Sequence, residues 1–361
     1  MEDIRLFKEI EINSQIHPYK VFFENQTKLN LKNILLEGDI IVIDKKIHEM
    51  YNPILKGVKN SCILIIANEK AKSYIEIESI LLKIVNAGFR KNNKLIAIGG
   101  GITQDITSFI ASIIYRGVDW IFFPTNLLSQ CDSCIGSKLS INLKTFKNLL
   151  GGFYPPKKIF ISTEFLKTLS EKEKLSGLGE MLHYFIVSSK KDMEYFSKKI
   201  RNAKKDLSGI EDLICRSLTI KKKMIEIDEF DKGPRNVFNY GHTFGHALES
   251  VTNYQIPHGI SVSFGIDLAN FISVKLGFMD VADRNKIRHL CSEVFFNTSL
   301  PVINFSNYKD ALMKDKKNIG NKLGLILSKR AGSMFKHFIE YKQIESYIHE
   351  FFIKKIYLND I

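Results

Sequence analysis

Three of the nine histidines fall within seventeen residues: His242, His246 and His258. His242 and His246 stand four apart, which on a helix places both on one face. His258 lies between Pro257 and Gly259, on a turn that can swing its imidazole back to meet them. Neutral imidazole is the commonest metal ligand, so this is a nitrogen-rich metal corner. A His-x-x-x-His pair also occurs in ordinary helices, and the chemistry therefore depends on what else the chain supplies. One supply is Glu180, set among Gly177, Leu178, Gly179 and Met181. A buried carboxylate without a partner is costly, which makes a metal or other cation its natural companion. A glutamate with two histidines and an open position is a known catalytic zinc set.

A second supply is Gly99-Gly100-Gly101, which follows the apolar run Lys94-Leu95-Ile96-Ala97-Ile98 and opens a helical stretch containing Asp105. Glycine lets the backbone approach a pyrophosphate, and the helix start offers unpaired N–H groups. The spacing departs from the Gly-x-Gly-x-x-Gly dinucleotide fingerprint. Further on stand Arg116-Gly117, Pro124-Thr125-Asn126, Asp132-Ser133, Lys138 and Lys147-Asn148, then Lys221, Arg235 and Asn239. Lysines beside small residues suit contact with a crowded anionic ligand.

The elements that must carry these residues differ between the two halves. Ile40–Ile43, Ile63–Ile66 and Lys94–Ile98 are short runs of strand type, separated by stretches such as Ile75–Val85 with helical periodicity. This alternation predicts a parallel sheet wrapped by helices. From Ser170-Glu171-Lys172-Glu173, a capping box, helix-period stretches dominate, with Leu323–Leu327 the main later strand. The reading is a Rossmann-like α/β domain over 1–168 and a mainly helical metal and substrate domain over 169–361.

At 361 residues, 45% hydrophobic and 25% charged, the chain reads as two globular domains. No apolar run approaches the roughly 20 residues that span a bilayer, and Met1–Arg5 lacks a signal core, so a cytoplasmic location without membrane attachment is expected. The five scattered cysteines imply a reduced protein. Cys131 and Cys134 form a Cys-x-x-Cys that no second pair completes, and they read as structural. The net charge of +13 raises nucleic acid as a partner. No nucleic-acid motif appears, and much of the excess sits in amphipathic stretches such as Lys190 to Lys205, so no nucleic-acid partner is expected.

Taken in order, these motifs resemble the 3-dehydroquinate synthase family, within the wider sugar-phosphate cyclases. The resemblance runs from about Glu69 to Asp315-Lys316-Lys317. It implies a carbon–oxygen lyase with an NAD-binding α/β domain and a helical zinc domain (Co2+ is an alternative ion), working as a homodimer on a small anionic sugar phosphate. By the family's motifs, Glu180, His242 and His258 are the metal ligands and His246 contacts substrate. Gly100, Gly101, Asp105, Thr125 and the neighbouring Asn126 line NAD, with Glu69 and Lys72 on its adenosine side. Asp132, Lys138, Asn148, Lys221, Arg235 and Asn239 surround the substrate, and Lys147 lies between cofactor and substrate, with Lys138 also placed at the cofactor. Arg116 matches an arginine that reaches the phosphate, often across the dimer interface, and Lys316 or Lys317 matches a late phosphate lysine. The implied reaction converts 3-deoxy-D-arabino-heptulosonate 7-phosphate to 3-dehydroquinate through transient oxidation, phosphate elimination, hydride return and aldol closure.

The chain departs from the family pattern at several positions. His183 stands where a lysine usually follows the zinc glutamate by three residues. Asn126 replaces a threonine, Gln104 precedes Asp105 in place of glycine, and Gly136-Ser137-Lys138-Leu139-Ser140 replaces Gly-Gly-Lys-Thr-Gly. These departures keep open a different sugar phosphate as substrate. An NAD- and metal-dependent polyol dehydrogenase is a further alternative, distinguished by release of NADH.

Overall fold

Strands that are apolar on both faces need helices on both sides, and Ile40–Asp44, Leu95–Gly99 and Trp120–Pro124 lie side by side as such strands in the seven-stranded sheet of a computed structural model describing residues 9–24, 27–144, 146–295, 298–315 and 317–357, while Cys62–Ile65 forms the edge of that sheet. The chain divides into two compact units, Met1–Leu169 with Lys221–Phe230, and Ser170–Ile220 with Asp231–Ile361. The first unit therefore recruits a short later segment that no composition shift marks.

In the first unit the elements are β1 (Glu9–Ile12), β2 (Tyr19–Phe23), α1 (Thr27–Ile34), β3 (Ile40–Asp44), α2 (Lys45–Met50), α3 (Asn52–Leu55) and β4 (Cys62–Ile65). They continue with α4 (Tyr74–Asn86), β5 (Leu95–Gly99), α5 (Gly101–Ile113), β6 (Trp120–Pro124), β7 (Lys138–Leu143), β8 (Phe146–Phe153) and β9 (Lys158–Ile161). The sheet order is β1-β2-β9-β6-β5-β3-β4, antiparallel at β1–β2 and parallel elsewhere. One face buries Ile41, Ile43, Ile96, Ile98, Ile121, Phe123 and Phe160 against Leu31, Ile47, Leu55 and Phe165. β7 and β8 form a separate antiparallel hairpin. The order places β5, which ends at Gly99, next to β3 and β6, so that the glycine turn emerges at the carboxyl edge where such sheets bind ligands.

In the second unit α6 (Glu171–Ser188) starts from the capping box, with Ser170 Oγ accepting from the Glu173 amide and Glu173 accepting in return. It is followed by α7 (Lys190–Asp206), α8 (Ile210–Ile227), α9 (His242–Val251), α10 (His258–Lys275), α11 (Val281–Phe295), α12 (Phe305–Met313), the hairpin β10 (Lys322–Arg330) and β11 (Ser333–Glu340), and α13 (Tyr341–Ile353). The last turns of α8 belong to the first unit. α10 is buried continuously from Gly259 to Ser273, its buried Asp267 paired with Arg284 at 2.7 Å, and it forms the axis against which α6, α9 and α11 pack. Among the described residues no helix is long and apolar enough to cross a membrane.

Candidate active site

Two helices, α6 and α9, cross α10 so closely that a Cβ is excluded at the crossings. A Cβ on Gly179 would stand 2.1 Å from the Gly259 carbonyl oxygen, and one on Gly259 only 1.8 Å from that of Ser176. On the other flank, a Cβ on Gly265 would meet the Gly241 carbonyl oxygen at 2.0 Å. Gly241 itself, at φ +79°, turns the chain into α9. The residues adjoining these glycines are Glu180, His242 and His258, so backbone contact sets the positions of all three.

Glu180 is buried, and its carboxylate lies 3.7 Å from His242 Nε2 and 3.3 Å from His258 Nε2. Both rings are held from behind. His258 Nδ1 is 2.6 Å from Glu249 Oε1, and His242 Nδ1 is 3.2 Å from the Tyr240 carbonyl. Tyr240 is in turn pinned by its hydroxyl donating to Asn270 Oδ1 at 2.6 Å. Anchoring Nδ1 leaves Nε2 facing the carboxylate, which is how metal-binding histidines are oriented. His246 joins the group, and one ligand nitrogen of each of the three imidazoles lies within 4.8 Å of the others. One carboxylate, several imidazoles and anchored outer nitrogens make a donor set whose chemistry fits a divalent cation.

The electrostatics follow. Burial alone would raise the Glu180 pKa, but His242 and His258 outweigh it and hold the carboxyl well below the usual range. Burial works against the His258 cation as well, yet Glu180 and Glu249 carry its pKa well above that of free imidazole. His246 goes the other way, pushed down by burial, by the two neighbouring histidines and by Lys317. Lys317 pairs with Asp315 at 2.9 Å; Lys316 lies outside the described residues. His183 is fully buried, with Nδ1 3.7 Å from Glu180 Oε1 and its ring packed edge-on against His242, Tyr184 and Phe238. Arg235 and Asn239 lie on the short turn Pro234–Asn239 that leads into α9, Arg235 buried and Asn239 donating to the Asn236 carbonyl.

The first unit gathers a second set. Gly100 is the N-cap of α5 and makes no side-chain cap bond. A Cβ at Gly101 would meet only Ser133 Oγ, at 3.9 Å, whereas one at Gly100 would stand 2.2 Å from Asn126 Nδ2, and the turn fits a phosphate-bearing ligand approaching at Gly101. Thr125 donates its amide to the Gly99 carbonyl, and Asn126 lies against Gly100 while its Oδ1 accepts from the Ser129 amide. Gln104 is explained by a two-point bond with Ser133, donating to its carbonyl at 2.6 Å and accepting from its hydroxyl at 2.7 Å. Asp105 pairs with Lys72 at 2.5 Å and accepts from the Ser140 amide; burial nevertheless raises its pKa, more than Lys72 lowers it. Lys72 also donates to Asn148 Oδ1 at 2.7 Å. Glu69 accepts from Asn142 Nδ2 at 2.9 Å and lies 3.8 Å from Lys147 Nζ. Asp132 receives Lys221 Nζ twice, at its carboxylate and at its carbonyl, each at 2.7 Å. Lys138 is exposed at the start of β7. Arg116 is exposed on a turn where it and Tyr115 hold φ of +66° and +51°, a strained pair of the kind that collects at functional positions.

Several residues escaped the sequence reading. Asp44 ends β3, the strand beside β5, where doubly wound sheets place the acid that meets a ribose; the end of a predicted strand was a usable signal. Asn142 joins Glu69 to Asn148, whose amide it accepts at 2.9 Å, and Glu249 orients His258. Neither has a local signature, because their partners are brought to them only by the fold.

The family models and the sequence relatives agree on one family. A family model described as 3-dehydroquinate synthase N-terminal matches residues 62–176, and one described as 3-dehydroquinate synthase C-terminal matches 177–318. A 3-dehydroquinate synthase of Campylobacter concisus is 33% identical over 349 residues, covering 95% of this chain and 99% of the relative. A solved 2-deoxy-scyllo-inosose synthase, complexed with carbaglucose-6-phosphate, NAD+ and Co2+, superposes with a TM-score of 0.86 at 20% identity, covering 95% of this chain and 99% of that one. A 2-epi-5-epi-valiolone synthase from Streptomyces hygroscopicus, with NAD+ and Zn2+ bound, gives 0.83 at 21% identity, covering 93% and 97%. At these identities the two structures attest the fold.

Proposed function

Because the chain belongs to the 3-dehydroquinate synthase family, we propose that it converts 3-deoxy-D-arabino-heptulosonate 7-phosphate to 3-dehydroquinate and phosphate, as a cytoplasmic homodimer using NAD and a divalent metal, zinc first. The observation that carries the reading is the buried Glu180 carboxylate facing the Nε2 atoms of His242 and His258. These three would hold the metal, and the glycine turn with Asp105, Thr125, Lys72 and Glu69 would hold NAD. When bound, the metal polarises substrate hydroxyls and NAD takes up and returns a hydride.

The chain's own residues supply the rest. His246, whose pKa desolvation and the neighbouring histidines push below that of free imidazole, can accept a proton from a substrate hydroxyl at neutral pH. Lys138, Lys147 and Arg235 bring positive charge for a phosphate and a carboxylate, and Arg235 offers the planar fork that suits either. Lys221 fixes Asp132 through two bonds and so orients its second carboxylate oxygen. The strained turn at Arg116 supports the reading that this arginine serves the phosphate at a dimer interface.

The test mixes the purified protein with NAD, zinc and the heptulosonate phosphate, then follows phosphate release and product mass. Dehydroquinate should form without accumulation of free NADH; accumulation of NADH would instead indicate a polyol dehydrogenase. One observation favours a second reading, a different sugar phosphate: the buried His183 beside Glu180, where the family pattern has lysine. If dehydroquinate synthesis rises strongly only in His183→Lys, the second reading replaces the first.

A further inference from the structure

β1, β2 and the turn between them precede the residues matched by both family models, which begin at position 62. They nevertheless hold the turn that delivers Lys138. Tyr19, the buried first residue of β2, accepts a hydrogen bond from the Gly136 amide at 3.0 Å. Ser14 Oγ and the Gln15 amide donate to the two carboxylate oxygens of Glu229, at 2.7 and 2.6 Å. Glu229 is itself buried, and it receives the hydroxyl of Ser137 on the oxygen that Ser14 uses. Asn13 is tied to Glu226, one turn earlier in the same segment, by two bonds of 3.0 Å.

The backbone at this turn explains why so many bonds converge on it. Gly136 and Ser137 hold φ of +109° and +65° in succession, and Lys138 donates its amide back to the Gly136 carbonyl at 2.8 Å. A left-handed conformation costs an L-residue free energy that glycine does not pay. Ser137 keeps that conformation while its hydroxyl is bound to a buried carboxylate and its carbonyl accepts from the Tyr154 amide at 2.7 Å. The next residue is Lys138, entering β7 opposite Phe153 of β8, and the Phe153 ring packs edge-on against Phe230, the neighbour of Glu229.

We infer that Glu229 is a positioning residue for Lys138: together with Ser14, Gln15 and Tyr19 of the N-terminal hairpin it locks the left-handed Gly136–Ser137 turn. A glycine at 137 would hold the turn by conformational preference; here a serine holds it through a carboxylate. The inference rests on the proposed role of Lys138 only for its effect on turnover, and the lock itself is tested without substrate.

The experiment measures amide hydrogen exchange in a peptide covering 135–139, with the peptide covering β5 as reference, in Glu229→Ala, Glu229→Gln, Ser137→Ala, Ser137→Gly and the Glu229→Ala/Ser137→Gly pair. Glu229→Ala should speed exchange of the turn about tenfold, the equivalent of about 1.4 kcal/mol, with β5 unchanged and kcat/KM reduced by a similar factor. Glu229→Gln, which retains one acceptor oxygen, should fall between. Ser137→Ala, which keeps the strain without the hydroxyl, should exchange faster than Ser137→Gly, and adding Ser137→Gly to Glu229→Ala should recover at least about threefold of both losses. A general loss of stability would move β5 as well and would show no rescue. Unchanged exchange at the turn in Glu229→Gln, or strictly additive effects in the pair, overturns the inference. Should Glu229→Ala fail to fold, the Gln variant and the Ser137 contrast decide alone. If the wild type makes no dehydroquinate, the functional reading fails while the exchange data still judge the lock.

Discussion

Replacing Glu249 should weaken metal binding without touching a proposed ligand. Its carboxylate lies 2.6 Å from His258 Nδ1, and His258 Nε2 faces Glu180 from 3.3 Å on the opposite side of the ring. The carboxylate therefore fixes the ring plane and makes the outer nitrogen a better donor. Loss of such a partner costs about 10- to 100-fold in metal affinity, or about 1.4 to 2.8 kcal/mol. Glu249→Ala should show the whole effect. Glu249→Gln, whose amide oxygen can still accept from Nδ1, should lose about tenfold or less. The assay is a competition titration of Zn2+ or Co2+ against a chromophoric chelator, with circular dichroism to confirm an intact fold. His246→Ala is the control, expected to keep affinity within about threefold because His246 is assigned to substrate. A folded Glu249→Ala protein with wild-type affinity would refute the reasoning. A His246→Ala protein as weak as His258→Ala would move His246 into the ligand set.

Two further outcomes follow from the packing. Gly179→Ala places a methyl 2.1 Å from the Gly259 carbonyl oxygen, so α6 and α10 must separate; a loss of about 1–3 kcal/mol of stability, read by denaturant unfolding, should accompany loss of tight metal binding. Asp192 accepts from Ser188 and Ser189 at the start of α7 and pairs with Arg216 at 2.6 Å; burial opposes its charge, but these partners depress its pKa on balance. A depressed carboxylate stabilises above its unfolded pKa and loses that contribution as pH falls through its folded value. Wild type should therefore exceed Asp192→Asn by about 1.5–3 kcal/mol at neutral pH, with the gap closing as pH is lowered below 3.8 in urea titrations at a series of pH values.

The sequence made the local devices legible and the long-range ones opaque. The Ser170–Glu173 capping box, the strand running into Gly99 and the apolar surroundings of Glu180 are written in neighbouring residues, and the structure contains them as α6, β5 and a buried carboxylate. The neighbours of β9 were not legible, because a parallel strand is paired by crossovers and Lys158–Ile161 carries no sign that it will lie between β2 and β6. Nor was the return of Lys221–Phe230 to the first unit, since a helix shared between two units keeps one periodicity throughout. Glu229, Asn142 and Glu249 are anonymous polar residues until the fold supplies their partners. His183 is visible in the sequence as a departure from the family's lysine, but its packing out of solvent against Glu180 and His242 is supplied by the fold.

The glycine crossings of α6, α9 and α10 carry a consequence for how such a catalyst can diverge. Where helices touch largely through backbone, enlarging a glycine beside Glu180, His242 or His258 drives a Cβ into a carbonyl of the facing helix, and any enlargement is punished at once. The corner formed by Glu180, His242 and His258 is thus stiff to gradual drift. Residues on turns and hairpins, such as Lys138, Lys147 and Arg116, stand on backbone that can be reshaped one bond at a time. Substitution is therefore tolerated more readily at the rim than in the frame, and His183 is wedged inside the frame, against Glu180 and His242.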